Sequence, residues 1–287
     1  MNVNVHAVIR LLAYTTFLIF CLQDLQGTAE NTNPNKVGDN DVPKVRDDTS
    51  VIITSNLIPT HPSVAMINET IHSLHHHMKG LPQNVPIFLS VDGLHKNDSG
   101  NQTSRDRLEE YIHRLKNTPF PFHNITVVPA SSHLHIARTV KQAMDLVQTK
   151  FVYVVQHDLP FVRDVYHLEL IHAMNDHPNT LRNVLFKLEG ALGRFPVCPI
   201  YNNHGIFPKE EYQGLDFYAT KRWSDNNHFT SKAYYQEMFS SIPHLNGAME
   251  WGMMTPAKQN CSWWGQVVYG TRADNFLKHL DGRQSTY

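Results

Sequence analysis

Two carboxylates follow directly on strand-like apolar runs, and the ends of such strands are where an α/β protein gathers its ligands. Asp158 follows Phe151-Val152-Tyr153-Val154-Val155 and closes a Gln156-His157-Asp158 triplet. A carboxylate there can hold a divalent cation whose other ligands are diphosphate oxygens and water. Magnesium commonly uses only one or two protein carboxylates, and the ion would neutralise charge on a departing diphosphate. The plainer reading is that Asp158 caps the turn before Leu159-Pro160. Asp92, in Val91-Asp92-Gly93, can accept hydrogen bonds from a base or a ribose, with Gly93 permitting close approach; an Asp-Gly turn is the alternative. Glu250 stands between Met249 and Trp251, and Asp225 follows Trp223-Ser224. Apolar neighbours raise a carboxylate's pKa, which suits a general base; Glu250 is the first choice and Asp225 the second. Trp223 and Trp251, each beside a candidate base, offer flat faces for stacking. Among 19 histidines, His72, His75, His76 and His77 cluster most tightly. No partner at zinc-site spacing accompanies them, so they read as the solvated end of a helix.

The elements that must position these groups alternate. Val51–Thr54, Pro86–Val91, Ile125–Val128 and Phe151–Val155 read as strands, and Val184–Phe186 as a further one. Between them Val64, Ile67, Ile71 and Leu74 recur at helical spacing, with Thr60 as cap and Pro62 near the first turn. Leu108, Tyr111, Ile112 and Leu115 do so after Ser104 as cap, and Ile136, Val140, Ala143, Met144 and Val147 make a third stripe. Asp164–Met174 and Ser231–Ser240 read as later helices, and Val267–Tyr269 as a last strand. Strand–helix units of about 30 residues predict an α/β fold, a mostly parallel sheet with helices on both faces. Ligands would bind at the carboxyl ends of its strands, where Asn56, Asp92 and Asp158 stand.

Composition bounds the function. The 287-residue chain is 41% hydrophobic and 18% charged, with net charge −1, so it lacks the basic surplus that nucleic-acid binding needs. Gly-x-Ser-x-Gly, P-loop and His-Glu-x-x-His patterns do not occur, which leaves hydrolase and nucleoside-triphosphatase readings without support. Residues 1–29 read as a secretory signal peptide, Leu11–Leu22 being its apolar run and Gly27-Thr28-Ala29 its cleavage pattern; an uncleaved anchor is the alternative. Residues 30–50, polar and rich in Asn and Asp, read as a flexible stem. Residues 51–287 read as one domain, with a ligand-binding half (51–190) and an aromatic-rich half (191–287). Asn68, Asn97, Asn101, Asn124 and Asn260 each open an N-x-[ST] sequon. Cys198 and Cys261 remain beyond the leader's Cys21, either as one disulfide or as two free thiols.

The ordered segments VIITSNLIPTHPS, IFLSVDG and HIARTVKQAMDLVQTKFVYVVQHDLPF resemble the nucleotide-binding half of GT-A glycosyltransferases, especially the family-two-like type, over roughly residues 51–165. The resemblance implies a nucleotide-diphospho-sugar donor, with Asp92 touching the nucleobase and Arg138 and Asn56 near the donor. Asp158 would be the metal-binding carboxylate for Mn2+ or Mg2+, and Glu250 or Asp225 the base of an inverting transfer onto an acceptor hydroxyl. His279 resembles a late metal-site histidine, with Asp281 placed to orient it. Gln156 replaces the first carboxylate of the family's Asp-x-Asp. That departure leaves a second reading open: a secreted, non-catalytic glycan-binding or extracellular-matrix protein on the same fold. The enzyme reading places the chain in the secretory pathway, secreted or in the Golgi lumen, with a glycan, protein or lipid acceptor.

Overall fold

The computed structural model describes residues 48–189, 196–198, 206–242, 245 and 247–281. The leader and nearly all of the stem lie outside them. Ten strands are described: β1 Thr49–Ser55, β2 Met78–Lys79, β3 Ile87–Val91, β4 Ile125–Pro129, β5 Phe151–Gln156, β6 Val165–Tyr166, β7 Asn183–Leu185, β8 Phe217–Ala219, β9 His228–Ser231 and β10 Val267–Tyr269. The helices are α1 Ala65–His77, α2 Gln102–Asn117, α3 His135–Met144, α4 His167–Asp176, α5 Lys232–Ser241 and α6 Met249–Gln259. None among the described residues is long and apolar enough to cross a membrane.

Eight strands form one sheet in the order β4-β3-β1-β5-β9-β7-β10-β8. β1 pairs in parallel with β3 and β5, and β3 with β4. β9 runs antiparallel to both β5 and β7, and β8 antiparallel to β10; the other strands share one direction. The segment after residue 190 therefore supplies strands to the same sheet rather than standing apart from it.

Strand alternation divides the core between the two faces. Val51, Ile53, Tyr153 and Val155 pack with Ile67, Ile71 and Leu74 of α1, Tyr111 and Leu115 of α2, and Leu170 and Ile171 of α4. Ile52, Val152 and Val154 face the other way, onto Ala137, Val140 and Ala143 of α3, Tyr235 and Met238 of α5, and Met249 and Met253 of α6. Being apolar on both faces is what makes β5 the central strand.

Three local expectations shift. α1 begins at Ala65 rather than near Thr60, because Arg107 of α2 donates to the carbonyls of Ile58, Pro59 and His61 and holds that stretch as a loop. The cap of α2 is Asn101, whose side chain accepts from Ser104 N; Ser104 lies inside the helix. The 164–174 helix starts only at His167, since Val165 and Tyr166 pair with Met78 and Lys79. The histidine-rich end of α1 is solvated as expected, with His77 Nδ1 2.9 Å from Asp164 Oδ1.

Candidate functional site

A cavity of about 270 Å3 opens at the carboxyl ends of β1, β3 and β5. Thr54, Ser55 and Asn56, Asp92, His133, His135, Ile136 and Thr139, and Gln156, His157 and Asp158 line it. Asp92 and Asp158 thus share one cleft. Because β9 runs opposite to β5, its leading end brings Asn227 to the same edge. Asn227 is completely buried; its Oδ1 accepts from Gln156 N at 2.8 Å and its Nδ2 donates to Leu159 O at 2.7 Å. It fixes the turn that aims Asp158.

The chain's last described segment completes this corner. Leu280 N donates to Asp158 O and Lys278 N to Pro160 O, which sets His279 Nε2 3.3 Å from Asp158 Oδ2. The other oxygen, Asp158 Oδ1, is buried with no hydrogen-bond partner. A buried carboxylate oxygen left unpaired is costly, so this atom is poised for a partner the protein does not supply. His157 Nδ1 donates to Thr54 O at 3.2 Å, and its Nε2 is likewise buried without a partner. Burial holds the His157 pKa down despite neighbouring Asp158, so the ring is neutral and its lone pair open. Among the described residues, no three His, Cys, Asp or Glu side chains converge as a metal cluster. The Asp158 carboxylate and the His279 imidazole still fit a divalent cation whose remaining ligands come from phosphate and water.

Asp92 is committed elsewhere. It is 5% exposed. Oδ1 accepts from Gly93 N at 2.8 Å and Leu134 N at 2.7 Å. Oδ2 accepts from His135 N at 3.2 Å and lies 2.8 Å from His133 Nδ1. A carboxylate has about four acceptor directions, and all are used, so direct contact with a nucleobase is not open to it. Gly93 also serves a different close approach: a Cβ there would stand 2.4 Å from the Ser132 carbonyl carbon.

A mostly parallel sheet clothed on both faces, with the two strand-end aspartates in one cleft, is the arrangement the sequence resemblance implies. The fold is α/β, as the strand and helix pattern of the sequence predicts. No protein-family model matches the chain, and no curated protein matches it. Solved structures similar to it include Staphylococcus aureus TarS 1–349, at 12% identity over 80% of this chain and 60% of that one, TM-score 0.44. GalNAc-T7 with UDP, GalNAc and Mn2+ is similar at 10% identity, 83% and 45% coverage, TM-score 0.48. UDP-glucose pyrophosphorylase complexed with UDP-glucose is similar at 9% identity, 82% and 94% coverage, TM-score 0.44. The chain spans less than two thirds of the TarS and GalNAc-T7 chains. Likeness at this level concerns the course of the chain and leaves its chemistry to its own residues.

Within this α/β domain the other site residues separate. Burial, with Asp158 adding to it, raises the pKa of Asp225, whose backbone carbonyl accepts from Gln156 Nε2 at 2.9 Å. Burial, and then Asp225 itself, raises the pKa of Glu250 in the first turn of α6. Asp158 and Asp225 thus act on each other electrostatically, as do Asp225 and Glu250, although neither Asp225 nor Glu250 is part of the cavity lining. Trp251 beside it is 78% exposed. Trp223 cannot stack on a ligand: it is 1% exposed, in the core with α5, and its Nε1 donates to Tyr234 Oη at 3.0 Å. Asn56 is exposed on the cavity rim, whereas Arg138 is exposed on α3 outside the lining, where His135, Ile136 and Thr139 stand. Asn97, Asn101, Asn124 and Asn260 are exposed and Asn68 is half-buried. Cys198 and Cys261 are joined as a disulfide. His133, His135 and Asn227 were not among the sequence candidates. Two histidines flanking Leu134 at the start of an amphipathic helix were the available signal for the first two.

Proposed function

We propose that the protein is a glycosyltransferase that moves a sugar from a nucleoside-diphosphate donor to an acceptor hydroxyl, metal-assisted and inverting, in the secretory pathway. The observation that carries this reading is the buried, unpartnered Oδ1 of Asp158, a residue that lines the strand-end cavity, with His279 against the carboxylate's other oxygen. Asp158 and His279 would hold Mn2+ or Mg2+, which supplies positive charge against the diphosphate leaving group. Glu250 takes the proton from the acceptor hydroxyl as the hydroxyl oxygen bonds to the anomeric carbon and the bond to the diphosphate breaks. Its raised pKa strengthens it as a base. Asp225 maintains that pKa by like-charge repulsion and is the alternative base. Trp251 offers the acceptor an open aromatic face. The N-terminal leader pattern, the exposed sequons and the disulfide support an oxidising, lumenal or extracellular setting.

The test is calorimetric titration of the protein with nucleoside diphosphates, with and without Mn2+, followed by transfer assays with sugar donors of whichever nucleotide binds. Binding that needs the cation and is lost in Asp158→Ala supports the reading. Indifference to every nucleotide leaves a non-catalytic protein on the same fold.

A further inference from the structure

We propose that His135 reads the donor's nucleobase, and that Asp92 and His133 act as positioning residues that set its hydrogen-bonding sense. The inference rests on the transferase reading above and adds to it which bases the site accepts.

The starting point is the saturation of Asp92. A base that needed this carboxylate would have to displace one of four donors, three of them backbone N–H groups from the turn at Gly93 and the entry to α3. What Asp92 does with those contacts is orient two imidazoles. Because the carboxylate accepts, the proton shared with His133 sits on His133 Nδ1. In a neutral ring the lone pair is then on Nε2, which lies 3.1 Å from His135 Nδ1. For a hydrogen bond to exist there, His135 Nδ1 must carry the proton and donate. The lone pair of His135 is left on its own Nε2. Acceptor capacity that Asp92 itself cannot offer is thus relayed through two rings to the rim of the cavity.

The backbone confirms that this placement is imposed. His135 has φ +60, a left-handed state unfavourable for a side chain with a Cβ. The bond from its N–H to Asp92 helps to hold it there. Such strain persists where the surroundings over-determine it, and it concentrates at ligand sites. His133 and His135 both line the strand-end cavity, and their ring centroids are 4.0 Å apart in an edge-to-face pair. His133 is also part of the wall of a neighbouring cavity of about 470 Å3, so a ligand reaching between the two meets this pair.

A neutral Nε2 acceptor set against the ring nitrogen of the pairing edge recognises a base that carries an N–H at that ring position. Uracil and guanine have such a ring N–H. Cytosine offers a bare ring nitrogen at the matching position, and two lone pairs would face each other. The site therefore selects uridine or guanosine diphosphate over cytidine diphosphate.

Calorimetric titration of the full chain at pH 8 with UDP, GDP and CDP, each with Mn2+, tests this. The wild type should bind UDP or GDP at least about tenfold more tightly than CDP, the order of one hydrogen bond's difference. His135→Ala, and His135→Gly, which takes φ +60 freely, should bind all three within about threefold while keeping a cooperative melt. Asp92→Asn should flatten the preference in the same way, because an amide cannot impose the same proton positions. Retention of the wild-type preference by both His135 variants overturns the proposal, as does a wild type that favours CDP. A wild type that binds no nucleotide fails the transferase reading first and this inference with it.

Discussion

His279 Nε2 stands 3.3 Å from Asp158 Oδ2, brought there by backbone bonds between the chain's last described segment and the turn after the central strand. Removing either side chain should therefore weaken the same event. Asp158→Ala and His279→Ala should each lower Mn2+-dependent nucleoside-diphosphate affinity, Asp158→Ala more strongly. The double variant should lose less than the sum of the two, since they act as a unit. A double-mutant cycle by calorimetry reads this; additive losses would separate the residues.

The two raised carboxylates predict a pH profile. A general base works only when deprotonated, so transfer should fall as pH drops, with a midpoint above the ordinary glutamate value because burial and Asp225 hold the Glu250 pKa up. Glu250→Gln should lower kcat by about 10²- to 10⁴-fold with little change in donor affinity, and should abolish that acid limb. If Asp225→Asn does so instead, the base is Asp225.

Trp223 and Trp251 should respond in opposite ways. Trp223→Ala removes a buried indole and its bond to Tyr234 and should cost about 3–5 kcal/mol of stability. Trp251→Ala, at 78% exposure, should leave the melting temperature nearly unchanged while raising the acceptor KM.

Stability should be acid-sensitive through two buried histidines. His228 is buried, with its pKa pushed down to about 4, and His61 to about 3, in both cases chiefly by burial. An unfolded histidine titrates near 6.5, so between there and the folded values the unfolded chain binds more protons. Stability is full above about 6.5 and is lost as pH falls toward 4 and then 3, by up to about 1.4 kcal/mol per pH unit for each histidine. Denaturant melts from pH 8 to pH 4 measure the slope, and His228→Gln should reduce it.

Reduction should also destabilise. The Cys198–Cys261 disulfide closes a 63-residue separation, and losing such a cross-link typically costs about 2–5 kcal/mol. Melts with and without reductant, compared with the Cys198→Ser/Cys261→Ser pair, give the value.

The sequence was most informative where burial writes itself into composition. β5 is apolar on both faces, so Phe151–Val155 identified the central strand and with it the position of Asp158. The amphipathic stripes of α1, α2 and α3 were equally readable. β9 was not, because His228 and Thr230 are polar yet completely buried. Their burial is supported by hydrogen bonds to Tyr235 and Asn226 and to the Arg182 carbonyl, which no hydropathy pattern reveals. β8 has only three residues, Phe217, Tyr218 and Ala219, without the β-branched run that marks Val267–Tyr269. The misjudged site residues share one cause. Whether Asp92 has a free lone pair, or Trp223 a free face, depends mainly on partners 11 to 43 positions away, and local spacing carries no record of them.

The most direct test is calorimetry of the wild-type protein and Asp158→Ala with a nucleoside diphosphate in the presence and absence of Mn2+. The wild type should bind saturably and at least about tenfold more tightly with Mn2+, and Asp158→Ala should keep its melting temperature while losing the cation's effect. Equal affinity with and without Mn2+, or a variant that responds to Mn2+ as the wild type does, would contradict it.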